Sequence, residues 1–94
     1  MMKQGLIDKV AIKAGISQRQ ARLVVNAVFD SMSEALEHGE SVGVSGFGTF
    51  EVRDRSSRRG RNAITGESVE IEAKKAPFFK ASNMLKKRIA NSGL

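Results

Sequence analysis

Arginine and lysine are the residues of this 94-residue sequence whose chemistry is clearest. Sixteen of them stand against ten Asp and Glu, which gives a formal net charge of +6 at pH 7. Residues 1–50 hold five basic and five acidic side chains, whereas residues 51–94 hold eleven and five, so the whole excess lies in the second half. This asymmetry predicts a polyanionic partner, with nucleic acid as the first candidate. A generically basic, solvated surface is the alternative.

The sequence offers little to an enzyme or a metal site. His38 is the single histidine and cysteine is absent, which excludes disulfides, a zinc cage and a dyad built with a second histidine or a cysteine. Gly46-x-Gly48 is too short for a dinucleotide fingerprint, and its better interpretation is a tight turn whose backbone can approach a phosphate. We therefore expect no enzymatic activity, cofactor, metal or small-molecule substrate.

Two helices are predicted in the first forty residues. Apolar side chains recur at helical spacing, and Gly15 supplies a left-handed cap for the first helix. Ser17 and Gln20 form a capping box that opens a longer helix, which Gly39 ends. The apolar stripe of residues 18–38 is wider than the rest of one small chain can cover. A chain of this size without disulfides or a metal usually gains stability from a second subunit, so we expect a dimer.

Beyond the second helix the apolar period changes to alternation. Residues 42–52 predict two strands joined by a tight, glycine-flanked turn, and Ser82 is placed to cap a short final helix. Residues 53–75 lie between them and carry too few apolar side chains to form a core. No apolar run approaches the ~20 residues that span a bilayer, and no signal-peptide pattern is present. We expect a soluble, intracellular protein with no membrane partner.

Residues 53–75 read as a hairpin whose tip, residues 62–66, has turn-forming residues at both ends. Centring the hairpin there pairs Arg61 with Glu67, Arg59 with Val69 and Arg55 with Ala73. Strand alternation then sorts the charges by face. One face receives Arg53, Arg55, Arg59, Arg61 and Lys75, and the other receives Asp54, Glu70 and Glu72. An arginine face fits a DNA groove; a disordered arginine-rich loop is the alternative.

Motifs along almost the entire chain point to one family. They are Gly46-Phe47-Gly48-Thr49-Phe50-Glu51-Val52-Arg53, Gly60-Arg61-Asn62, Thr65-Gly66, Leu6-Ile7, Ala76-Pro77 with Phe79, and Leu85-Lys86. Together they closely resemble the bacterial histone-like HU/IHF family. The resemblance implies an α+β fold and an intertwined dimer: a two-helix N-terminal body, a three-stranded antiparallel sheet with a long β-ribbon arm, and a short C-terminal helix. It also implies minor-groove binding with little or modest sequence preference, and bending of the duplex.

The tip of the arm departs from the family pattern. Where the family typically has a proline after Arg-Asn, this chain has Ala63, and its one proline is Pro77. The resemblance assigns the tip proline the role of a wedge between base pairs. Alanine is smaller and less rigid, whereas Ile64 is bulky and of a type used as a wedge. Either Ile64 takes over this role or the protein bends DNA less.

The resemblance implies one domain over residues 1–94 and assigns each part a role. The parts are a helical dimerisation body (1–40), a saddle sheet (41–52 and 76–81), a DNA-binding arm (53–75) and a C-terminal helix (82–94). The expected dimer core is Val28, Phe29, Met32, Leu36, Val44, Phe47, Phe50 and Phe79. The expected DNA-binding residues are Lys3, Arg53, Arg55, Arg58, Arg59, Arg61, Asn62, Ala63, Ile64, Thr65, Lys74, Lys75, Lys80 and Lys86. A solvated surface remains the alternative for Lys74 and Lys75.

These observations predict a non-enzymatic, architectural DNA-binding protein. We expect it to act as a homodimer on double-stranded DNA in the cytoplasmic nucleoid, to bend and compact the DNA, and to favour bent, nicked or gapped forms. Two alternatives stay open. One is a subunit of a heterodimeric or more sequence-selective IHF-like bender, and the other is a basic-armed dimeric module that binds an acidic protein.

Overall fold

Three α-helices and five β-strands are present in residues 1–55, 58–61, 68–71 and 74–94, which are the residues that this computed structural model describes. Of residues 55, 58–61 and 68–71 it describes the backbone alone. The helices are α1 (Lys3–Ala14), α2 (Gln18–Glu37) and α3 (Asn83–Ala90). The strands are β1 (Val42–Val44), β2 (Gly48–Arg55), β3 (Arg58–Arg61), β4 (Ser68–Ile71) and β5 (Lys74–Ala81). The predicted α+β fold is confirmed.

Local hydrogen bonds set the ends of α1 and α2. Gly15 adopts a φ of 66°, and its N–H donates to the carbonyl of Ala11, which ends α1. The Ser17 hydroxyl accepts from the Gln20 N–H at 3.1 Å, and the Gln20 side-chain oxygen accepts from the Ser17 N–H at 3.2 Å. These bonds satisfy N–H groups that the first turn of α2 would otherwise leave without partners. The predicted cap and capping box are both confirmed.

The sheet contains β1, β2 and β5 in that order, with antiparallel pairing. Gly46, in the turn between β1 and β2, adopts a φ of 78°. Gly48 is buried where β2 begins. A Cβ atom there would lie 2.6 Å from the ring of Phe79 and 2.5 Å from the carbonyl oxygen of Lys80. Packing within the sheet therefore requires the second glycine of the predicted turn.

The strand pairing corrects the predicted ribbon register. β3 and β4 form a two-stranded antiparallel ladder that continues the register of β2 and β5. The observed pairs are Arg55 with Lys74, Arg59 with Glu70, and Arg61 with Ser68, so the predicted partners Ala73, Val69 and Glu67 were wrong by one residue. A one-residue shift exchanges the faces of a strand.

The predicted assignment of the returning strand's charges to faces was therefore also wrong. Lys75 lies opposite Asp54 instead of sharing the face of Arg53, and Glu70 is the cross-strand partner of Arg59. The predicted position of Glu72 lies outside the described residues. The strand that pairs with β3, which is β4, therefore places an acidic residue opposite one of the β3 arginines.

The core within one chain is small. Four apolar side chains of the described residues are buried, namely Ile7, Ala11, Ala21 and Val25, and all lie where α1 packs against α2. The sheet and its β1–β2 turn contribute a cluster of three aromatic rings, with Phe50 and Phe79 at 4.7 Å between centroids and Phe47, in the turn, beside both. Because burial of apolar area is the main source of stability, this core alone gives one chain only a small free energy of unfolding.

Candidate nucleic-acid interface

Three of the predicted DNA-binding lysines lie on separate elements outside the arm. Lys3 is the first residue of α1, Lys80 is near the end of β5, and Lys86 is in α3. All three are exposed. Exposed lysines of this kind can neutralise phosphates without reading bases.

A shallow groove between the β1–β2 turn and the start of α3 surrounds one of these lysines. Gly46, Gly48, Lys80 and Ser82 are among the residues that line it. The Ser82 N–H donates to the carbonyl of Phe47 at 2.9 Å, which fixes α3 against the turn. The Ser82 hydroxyl accepts from the first turn of α3, as the predicted N-cap requires. The turn, the lysine and the start of α3 therefore form one surface.

The arm carries the remaining predicted contacts. Arg53 and Arg55 lie on β2, and Lys74 and Lys75 lie on the paired part of β5. β3 contributes the backbone positions of Arg58, Arg59 and Arg61. The predicted tip residues Asn62, Ala63, Ile64 and Thr65 lie outside the described residues. The continuous register from β2 and β5 into β3 and β4 places the backbone of the arginine-rich segment on a two-stranded ribbon.

Arg53 has two neighbours that the sequence did not single out as functional. Its Nε donates to Glu51 Oε1 at 2.9 Å, and its Nη2 donates to the same oxygen. Its guanidinium also lies over the ring of Phe78, 4.9 Å from the centroid. The Glu-x-Arg spacing was a usable signal, because residues i and i+2 of a strand share a face. The contact with Phe78 required the cross-strand register.

Apolar side chains of the predicted dimer core are only partly covered in one chain. The exposed fractions are 49% for Val28, 45% for Phe29, 42% for Val44, and 44% for both Phe47 and Phe79. Met32, Leu36 and Phe50 are half-buried. A surface with this many large apolar groups is typical of a protein–protein interface.

Other chemistry finds no support in the described part of the chain. Within it, no three His, Cys, Asp or Glu side chains are grouped in a way that could hold a metal ion. No helix found there combines the length and the apolar character needed to cross a membrane. His38 lies at the end of α2, where its Nδ1 is 2.8 Å from the carbonyl oxygen of Glu34.

Comparisons with known proteins agree with this arrangement. The family model described as "Bacterial DNA-binding protein" matches residues 1–90. A prophage-derived DNA-binding protein HU 2 of Bacillus subtilis strain 168 is 54% identical over 86 residues, which cover 92% of this chain and 94% of that protein. A DNA-binding protein HU of Geobacillus stearothermophilus is 51% identical over 86 residues, with 92% and 96% covered. An Anabaena HU–DNA cocrystal structure superposes with a TM-score of 0.84 at 40% identity, covering 97% of this chain and 99% of that one.

The chain therefore belongs to the bacterial DNA-binding protein family. The predicted resemblance and the predicted class, an HU-type architectural DNA-binding protein, are both confirmed. The similar proteins are DNA-binding proteins, and none of the three is named as an enzyme.

Proposed function

We propose that this protein acts as a dimer whose two β-ribbon arms hold duplex DNA in the minor groove and bend it. Base identity contributes little, because arginine and lysine contacts to phosphates carry no sequence information. The protein works in this way on the nucleoid, and hence in the cytoplasm. It has no enzymatic activity.

The arginine-bearing ribbon is the observation that carries this proposal. β2 and β3 together hold Arg53, Arg55, Arg58, Arg59 and Arg61 on one strand of the ribbon. A two-stranded ribbon has little apolar surface to bury and gains stability from what it binds. Narrow minor grooves attract arginine through their enhanced negative potential. These properties favour a ribbon that binds in the minor groove of DNA over one that stays free in solvent.

The half-exposed apolar face supports the dimer. Four side chains remain 44–49% exposed in one chain. They are Val28 and Phe29 on α2, Phe47 in the β1–β2 turn and Phe79 on β5. A second copy is the partner that buries them while directing a second arm to the same duplex. The proposed dimer is a homodimer. Failure of the purified chain to self-associate would point to a heterodimer instead.

Fluorescence energy transfer across a short end-labelled duplex tests binding and bending together. The protein is titrated at low salt against an intact duplex and against the same duplex with a central nick or gap. We expect transfer to rise in each case, with half-saturation at lower protein concentration for the nicked and gapped forms, which cost less to deform. Binding without any rise in transfer contradicts bending. A chain that fails to bind duplex at low salt, yet binds an acidic protein, contradicts the whole proposal.

A further inference from the structure

The outer face of the sheet carries an acid beside its central arginine. Phe50 and Phe79 are cross-strand partners within the aromatic cluster, so they define the inner face. Strand alternation places Glu51 and Arg53 on the opposite, outer face. The cross-strand partner of Glu51 is Phe78.

The guanidinium of Arg53 is held on two sides. Glu51 accepts from two of its five N–H groups, and the ring of Phe78 supports its flat face. The side chain of Arg53 is still 54% exposed and that of Glu51 34% exposed, so both groups are within reach of an approaching polyanion. In this state a carboxylate already neutralises the charge of Arg53.

We propose that Glu51 limits the affinity of this protein for duplex DNA by restraining Arg53 against Phe78. A DNA phosphate that binds the guanidinium of Arg53 must displace the Glu51 carboxylate or lie close to its negative charge. Either outcome lowers the affinity for DNA. An exposed ion pair contributes little to stability, so the exchange is nearly balanced and Glu51 adjusts affinity without blocking it. The inference rests on the proposed function, which assigns Arg53 and the other arginines of the ribbon to DNA binding.

Glu51→Gln keeps an oxygen acceptor and removes the charge. We expect it to tighten binding to a 20-base-pair duplex about three- to fivefold at 0.1 M salt. The plot of log affinity against log salt becomes steeper by up to about 0.9, because Arg53 then exchanges counterions for a phosphate without freeing an acid. Fluorescence anisotropy over a salt series measures both quantities.

Asp30→Asn is the control. It makes the same change of net charge at an exposed position of α2, outside the sheet that carries Arg53. We expect less than a twofold change in affinity and no change in slope. An equal gain from Asp30→Asn and Glu51→Gln would mean that net charge alone matters, and would overturn the inference.

A second pair of variants tests whether the effect passes through Arg53. In an Arg53→Gln background, Glu51→Gln should leave the salt slope unchanged, since the ion pair no longer exists. The same steepening in both backgrounds would refute a role for the pair. If the wild-type protein binds and bends duplex DNA but Glu51→Gln changes neither affinity nor salt slope, this inference alone is refuted. If the wild-type protein does not bind duplex DNA, the proposed function is refuted.

Discussion

Gly48 illustrates how much one position can depend on contacts that sequence alone does not reveal. The glycine pair around Phe47 predicted a tight turn, and Gly46 with its positive φ fulfils that prediction. Gly48 is required for a different reason, because the ring of Phe79 occupies the space that a side chain would need. The close approach arises across the β2–β5 pairing, which no local spacing encodes.

Gly48→Ala should therefore destabilise the protein. A methyl group would meet the Phe79 ring and the Lys80 backbone at distances that real contacts do not allow, and overpacking of this kind costs about 1–3 kcal/mol. Gly43→Ala is the control, because a Cβ atom there would have Thr49 Oγ1 at 3.9 Å as its nearest contact. Urea unfolding measures both variants at one protein concentration. Equal free energies of unfolding for the two variants would show that the space around Gly48 can adjust.

At the scale of elements, the sequence predicted what local interactions determine. The left-handed cap at Gly15, the capping box at Ser17 and the N-cap at Ser82 depend on residues within a few positions, and all are present. The ribbon register was predicted wrongly, because it depends on the length of the turn at the tip, and an error of one residue exchanges the faces. The neighbours of Arg53 were missed for a related reason, since Phe78 reaches it only through the register.

Ser17→Ala should lower stability through α2. The variant loses the hydroxyl that accepts from the Gln20 N–H, and removal of such a cap costs about 0.5–2 kcal/mol. Ser31→Ala, at an exposed position inside α2, is the control and should be neutral or slightly stabilising, because alanine is the better helix former. Thermal unfolding followed by circular dichroism distinguishes the two. A Ser17→Ala protein as stable as Ser31→Ala would leave the capping box without a role.

The arm is the element in which Ala63→Pro should change function. The family resemblance gives its tip a wedge, and unstacking a base step costs a few kcal/mol that the wedge and the additional wrapped surface must offset. We expect Ala63→Pro to increase the bend angle and the preference for nicked or gapped duplex, with little change in salt slope. Energy transfer across the labelled duplex measures the angle. A reduced bend in Ile64→Ala, with no change in Ala63→Pro, would assign the wedge to Ile64; no change in either would remove the tip from bending.

The whole molecule combines a small core with a large uncovered apolar surface. Burial in one chain centres on the contact between α1 and α2, and the aromatic cluster of the sheet stays partly open. The proposed dimer would resolve this imbalance, because it would bury the open face and place one arm on each side of a duplex. Stability and DNA binding would then be linked, since the same dimerisation would supply the core and the second arm.

Phe47→Ala tests this link. Phe47 is 44% exposed in one chain, and the proposed dimer would bury it, so its loss should cost about 3–5 kcal/mol in the dimer and less in an isolated chain. We expect the melting temperature to fall and to depend strongly on protein concentration, and we expect duplex affinity to fall with the dimer population. Ile12→Ala is the control, because Ile12 is 81% exposed on α1 and lies outside the proposed dimer core. Sedimentation velocity over about a hundredfold range of protein concentration should show a wild-type dimer throughout. The Phe47→Ala variant should be a monomer at the lowest concentrations. A folded wild-type monomer over that range would contradict the dimer.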